Sequence, residues 1–401
     1  MRLQPQSFLM AALLTALVAI APLSTNMYLP ALPDIAQHFQ APMGDVQLTL
    51  SMYLVGFAVG QLILGPLSDR FGRRPVLIGG LIAFCIASIA CWLASNVALL
   101  IFARLFQAVG ACAGVAISRA MVRDIHGTHN AAHLLTHMGT AMAVAPLIAP
   151  LIGGVFTAHY GWQSNFIVLA GVGLFLLLLS AFALPESHAP SERVALSPKR
   201  MGMNYKFLTT HPEFRDFALV NAFAFAGLFA FSSASSFVLI DGFGIGATAF
   251  GFAFAVVVVG FMTGSQISVR LLKRMEIERL IGLGGRIALV AGIAGLLTVW
   301  LAPPSVLTVI APMFCYNVAV GFIMPNAMAG SIGPFPQMAG AAAALMGFIQ
   351  MITAAAAGAL VGQVHDHTPV PMLVTVAVCG LLAWVFARRV ERRALTRQTP
   401  T

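Results

Sequence analysis

The chain has 401 residues, 59% of them hydrophobic and only 9% charged, with a mean hydropathy of +0.90. No water-soluble domain of that length has such a composition. The net charge of +9 therefore has no soluble basic domain to carry it, which excludes a nucleic-acid footprint.

The apolar residues fall in twelve long blocks, at approximately 8–33, 46–64, 76–94, 97–118, 134–157, 165–184, 217–240, 250–269, 280–302, 305–328, 338–362 and 369–387. A helix needs about 20 residues to cross the hydrocarbon. Barrel strands would be shorter and would alternate polar with apolar, so the expected fold class is an all-α membrane protein of twelve transmembrane helices. The first block is expected to stay in the mature protein. It is long, has only Arg2 at its amino end, and runs into Tyr28, Leu29 and Pro30 rather than a small-residue cleavage site.

Lys and Arg near a span stay cytoplasmic. With the amino terminus inside, every basic residue except Arg104 falls in an inner segment or the carboxyl tail. That pattern favours an even span count with both termini in the cytoplasm. The five cysteines, at 85, 91, 112, 315 and 379, lie in or beside spans at spacings that suggest neither disulfides nor a zinc site.

In chain order, span one ends in a polar and aromatic stretch, Ser24 to Pro33, containing Asn26, Met27 and Tyr28, and Asp34 follows it. The loop between spans two and three reads GPLSDRFGRRP, from Gly65 to Pro75. Its Gly65 and Gly72 let two helix ends approach, while Asp69 can satisfy helix-end amides and pair with arginine. Arg70, Arg73 and Arg74 supply the basic partners. Span four holds Arg104 and Gln107, and a guanidinium inside a span usually faces a polar cavity or a partner. Arg119, Arg123 and Asp124 close the inner end of that span.

His129, His133 and His137 share a helix face, as do Met138 with Met142 and Met324 with Met328; the histidines read as interfacial and the methionines as core packing, so no metal site is expected. Span five contains Pro146, Pro150, Gly153 and Gly154, where prolines free backbone carbonyls and glycines allow close packing. A longer polar segment, 185–213, divides the spans six and six. The expected organisation is a first half over 1–184, this cytoplasmic linker, a second half over 214–388 and a basic tail over 389–401. In the second half Ser232, Ser233, Ser236, Asn317 and Gln350 are polar residues within apolar blocks, and with Asn26, Met27, Tyr28, Arg104 and Gln107 they are the expected lining of a midplane substrate cavity. No carboxylate falls in mid-span, and no enzyme or cofactor signature appears.

GPLSDRFGRRP resembles the loop motif of the major facilitator superfamily, and Arg104 to Gly110 is similar to its helix-four motif, with Ala108 where that motif has Gly. The run Ala145 to Gly154 resembles the motif of the exporting antiporter branch. Ser24 to Pro33, Phe229 to Phe237, Pro325 to Ala327 and Phe335 to Gly340 are similar to the bicyclomycin-resistance type (Bcr/CflA) drug exporters. The resemblance implies a cytoplasmic latch among Asp69, Arg73 and Asp124, and proton-driven export of a small organic molecule from a bacterial inner membrane. It also implies a departure: those exporters have Asp where this chain has Asn26, and Asn cannot titrate. Asp34, bent back by Pro30 and Pro33 toward Arg104, is the substitute proton site expected here. A monomer in the lipid bilayer without cofactor is expected, with uptake of a metabolite or copper, or a non-transporting sensor, as alternatives.

Overall fold

The structure is a computed structural model that describes residues 4, 7–189, 191, 197–301, 303, 305–364 and 368–398, the side chains of 128–130, 132–133, 300 and 397–398 excepted. Twelve helices are long and apolar enough to cross a membrane. In order they are Phe8–Phe39, Met43–Phe71, Arg73–Trp92, Val97–Gly127, Leu134–Tyr160, Gln163–Ala183, Pro212–Gly242, Ala247–Leu271, Ile277–Val299, Val306–Ile332, Pro336–Gln363 and Val370–Thr396, numbered here as spans 1 to 12. No strand occurs among the described residues. The chain is a multi-pass membrane protein, as its composition requires.

Three boundaries differ from the hydropathy blocks. Span 1 continues through a 3-10 turn, Leu29–Ala31, into the short helix Leu32–Phe39. The linker contains a helix of its own, Pro198–Thr210, started by Ser197, whose side chain accepts from the Arg200 amide. The last helix runs on to Gln398, so residues 389–398 prolong span 12 instead of forming a separate tail. Charged residues interrupt the hydropathy of these segments without interrupting their backbone hydrogen bonds, and only the former is visible in a hydropathy block.

The turn between spans 2 and 3 depends on Gly72 at φ 99, a conformation that side-chain-bearing residues rarely adopt. Gly127, at φ 67, breaks what would otherwise be one rod through spans 4 and 5. Lipid is as apolar as leucine, so close packing of small residues rather than a hydrophobic drive holds such helices together. Gly56 lies against the Leu105 backbone and Gly60 against Cys112, which joins spans 2 and 4.

Because successive spans alternate in direction, all segments carrying Arg70 to Arg74, Arg119 to Asp124, the linker and the carboxyl-terminal arginines share one end, termed the basic end. The other is the far end. Two seams join the halves. Span 2 meets span 11 from Gly44 against Gly362 at the far end to Gln61 against Gly347, past the midpoint. Span 5 meets span 8 at the far end, with Gly154 against Ala247 and Gly251 against Pro150 and Leu151. The Leu29–Ala31 turn also packs on spans 7 and 8 there.

Candidate functional site

Three charged side chains are buried among the described residues: Arg73, Arg104 and Asp216. Arg73 and Asp216 lie at the basic end with oppositely charged partners. Arg104, fully buried in span 4, has no ion pair. Its guanidinium lies between two phenol rings, with Cζ 4.2 Å from the centroids of both Tyr28 and Tyr53 and 5.9 Å from that of Phe166. Stacking of this kind attracts a cation without neutralising it. Nη1 donates to the Ser24 carbonyl at 3.0 Å and to Oε1 of Gln107, whose amide donates onward to Ser88 Oγ at 2.8 Å. Nε and Nη2 make no hydrogen bond within the protein. These two groups form the side-on edge of the guanidinium, the edge that matches a carboxylate or phosphate.

The cage is tied down around its rim. Tyr28 and Thr49 share a hydrogen bond of 2.7 Å, and the Tyr53 hydroxyl bonds Ser24. Residues of spans 1, 2, 3, 4 and 6 are therefore all involved, and Arg104 sits within the first six-helix unit. Of the sequence-derived candidates, Tyr28, Arg104 and Gln107 come together here. Asn26 is half-buried, with its amide returned to the Pro22 carbonyl at 2.8 Å.

Asp34 does not join them. It is exposed in the first turn of the helix Leu32–Phe39, and no ion pair links it to Arg104. Pro30 and Pro33 do turn the chain as expected. They direct the apolar Leu29, Leu32 and Ile35 inward, which leaves the carboxylate facing out.

In the second half the candidates remain apart. Ser232 and Ser233 donate to the carbonyls of their own helix, and buried Ser236 has no partner. Asn317 returns to Met313 at 3.0 Å. Gln350 accepts from Asn221 at 2.8 Å, joining spans 11 and 7. Met27 is buried, its carbonyl pressed on Gly153, so this glycine packs spans 1 and 5 within one half while Gly154 packs across the seam. Pro146 and Pro150 lie inside span 5.

At the basic end the sequence-derived latch is assembled. Arg73 Nε donates to Asp124 Oδ2 at 2.9 Å, and its Nη1 donates to Asp69 and to Ser68 Oγ. Glu186, at the start of the linker, accepts the backbone amides of Arg73 and Arg74 at 2.9 and 3.2 Å, capping span 3 with a negative charge. Arg74 also reaches the Ala181 carbonyl. All these groups belong to the first half and the adjoining linker, so the knot locks spans 2, 3 and 4 to one another.

Arg70 stacks on Phe71, Arg119 donates to Met142 Sδ at 2.8 Å, Arg123 is exposed, and Gly65 has open space beside it. Arg73→Ala, which leaves two carboxylates without their cation, is expected to lower stability by roughly 2–4 kcal/mol. Glu186→Ala, which removes only a cap, should lower it by about 1 kcal/mol. Thermal unfolding in detergent should rank them in that order, and equal melting temperatures would contradict it.

The second half has its own knot: Asp216 pairs with Arg393 at 3.0 Å, and Arg286 with Glu391 at 2.8 Å. Asp216, which the hydropathy blocks leave just outside span 7, lies within it, and Arg286 lies within span 9. No group of three or more His, Cys, Asp or Glu that could hold a metal occurs among the described residues; the His129 and His133 side chains lie outside them.

Residues 14–358 match the Major Facilitator Superfamily. The chain belongs to that superfamily. It is 29% identical to the bicyclomycin resistance protein homolog of Haemophilus influenzae, with 96% of this chain and 98% of that protein covered. It is 28% identical to multidrug resistance protein D of Escherichia coli, over 85% of each. The solved xylose transporter XylE of E. coli shares the fold, with a TM-score of 0.74 at 14% identity over 95% of this chain and 97% of that one. The chain is a transporter of the Major Facilitator Superfamily.

Within this superfamily fold, sequence reasoning missed several residues that the site uses. Tyr53 and Ser88 surround Arg104 and Gln107 but are single polar or aromatic residues in apolar blocks, without a motif to mark them, and Ser24 lay in a marked stretch without being singled out. Glu186 was legible only as an inner-loop acid. Gln47 carried no signal at all; it is fully buried in the seam against Gly362, with neither end of its amide bonded.

Proposed function

We propose that this transporter exports a small, amphipathic organic molecule, neutral or anionic rather than cationic, by alternating access in exchange for protons. The carrying observation is Arg104, a buried cation with a free side-on edge and no carboxylate partner. A fixed positive charge in low dielectric repels cations and favours groups that complement it. The names of the bicyclomycin- and multidrug-resistance relatives support the outward direction.

The basic end is cytoplasmic in this proposal, with both termini on that side of a bacterial inner membrane. The far end then faces the periplasm. Its seams, Gly44 with Gly362 and Gly154 with Ala247, are packed together, so this state is closed toward the periplasm. The substrate path runs between the halves, with Asn26, Ser232 and Gln350 as candidate contacts. The run from Pro146 to Gly154 supports exchange with protons. The partner proton does not use an Asp34–Arg104 pair.

The test is transport in proteoliposomes against a panel of amphiphiles matched in size and carrying net charge −1, 0 or +1, under an imposed pH gradient. Accumulation of the neutral and anionic members, abolished when the gradient is collapsed, is the expected result. Selective accumulation of the cations would overturn the charge reading, and indifference to the gradient would overturn proton exchange.

A further inference from the structure

The linker helix Pro198–Thr210 lies outside the twelve spans, yet two of its apolar side chains are exposed: Met203 at 62%, and Phe207 at 49% although its ring also meets those of His211 and Phe335. At 100° per residue, Met201, Tyr205 and Leu208 share one side of the helix, while Lys199, Met203 and Lys206 share the other with Arg200 and Phe207 beside them. The first side faces protein. Leu208 is buried, and the Tyr205 hydroxyl, whose pKa burial raises further above neutrality, donates to the Leu62 carbonyl of span 2 at 3.4 Å. The helix also packs on spans 7 and 11, so it touches both halves.

The outer side has a different chemistry. Lys199, Arg200 and Lys206 are exposed, their side chains make no hydrogen bond or ion pair among the described residues, and the helix contains no acid to offset them. Three unpaired cations interspersed with uncovered apolar side chains form a face suited to the headgroup layer of an anionic membrane. A face meant for water would have no reason to expose Met203 and Phe207, and one meant for the hydrocarbon would not carry the lysines.

We propose that this face binds anionic phospholipid, with Lys199, Arg200 and Lys206 on headgroup phosphates and Met203 and Phe207 at the acyl boundary. The proposal rests on the orientation given above only for which leaflet is meant. Contact with lipid can be read in proteoliposomes whichever way the protein inserts.

The experiment uses the full chain carrying Met203→Trp, compared with the parent protein and its four native tryptophans, in vesicles containing brominated phosphatidylglycerol or brominated phosphatidylcholine. The added fluorescence should be quenched several-fold more by the brominated phosphatidylglycerol. Adding Lys199→Gln, Arg200→Gln and Lys206→Gln should cut that preference at least about threefold, as should raising salt to about 1 M, where the Debye length falls to about 3 Å. Quenching by aqueous acrylamide but by neither lipid would overturn the proposal and indicate a water-facing or protein-binding surface. Equal quenching by both lipids, unchanged in the charge-neutral variant, would overturn its anionic selectivity. Transport by the variants reports separately on the proposed export function.

Discussion

A Gly154→Val variant is expected to remain folded but lose transport by roughly a hundredfold. The Cβ at this position would meet the carbonyl of Ala247 in span 8, an obstacle of backbone that cannot swing aside like a side chain. The contact joins the two halves at the far end and exists only while that end is closed. Overpacking costs about 1–3 kcal/mol, and about 2.7 kcal/mol corresponds to two orders of magnitude in an equilibrium. The clash therefore acts on the balance between states and leaves each six-helix unit intact.

Gly153→Val is the control. Its Cβ would collide with the Met27 carbonyl inside the first half, so it should lower the melting temperature instead. Spin labels on Gln40→Cys and Val364→Cys, with the exposed Cys315 changed to Ser, would report the far-end separation. A wild-type distance distribution with wild-type transport in Gly154→Val would show that the span 5 to span 8 seam does not control closure.

Arg104→Met is expected to lose transport by about the same factor while melting no lower than the parent. A guanidinium in a span costs at least about 2.5 kcal/mol, and Arg104 has no counter-charge to offset it. Against that stand the hydrogen bonds to Ser24 and Gln107 and the two ring contacts, each worth about 1–2 kcal/mol. Those four contacts, together roughly 4–8 kcal/mol, offset the several kcal/mol needed to desolvate the guanidinium; Met needs neither, so the fold is expected to tolerate the change. Arg104→Lys keeps the charge but loses the planar fork between Tyr28 and Tyr53, and should retain no more than about a tenth of the activity. Transport and thermal unfolding measured on the same preparations separate the outcomes. An active Met variant would reduce Arg104 to an anchor, and an inactive one that also melts well below the parent would make the cage structural.

The sequence by itself determined the twelve spans, the six-and-six division and the side on which the basic residues collect. These follow from constraints that act along one dimension. The hydrocarbon requires each crossing segment to be apolar and to satisfy its own backbone, and Lys and Arg mark alternate loops. The loop from Gly65 to Pro75 and the run from Pro146 to Gly154 were legible because each is a pattern of residues adjacent in the chain, although the partners they meet are not.

Only the tertiary structure decided which side chains meet. Arg104 was evident as an anomaly, but its partners Ser24, Tyr53 and Phe166 lie on three other helices, and an apolar block shows no preferred face when all sides are apolar. Asp34 was assigned a role by its distance along the chain from Asn26, and the inward packing of Leu29, Leu32 and Ile35 turned it away. Glu186 reaches the start of span 3 across more than a hundred residues, and Asp216 finds Arg393 at the opposite end of the second half. Such pairings depend on helix rotation and on the close approach permitted at single glycines. Those quantities are set by packing in three dimensions, and hydropathy, which records only how each segment divides between lipid and water, does not contain them.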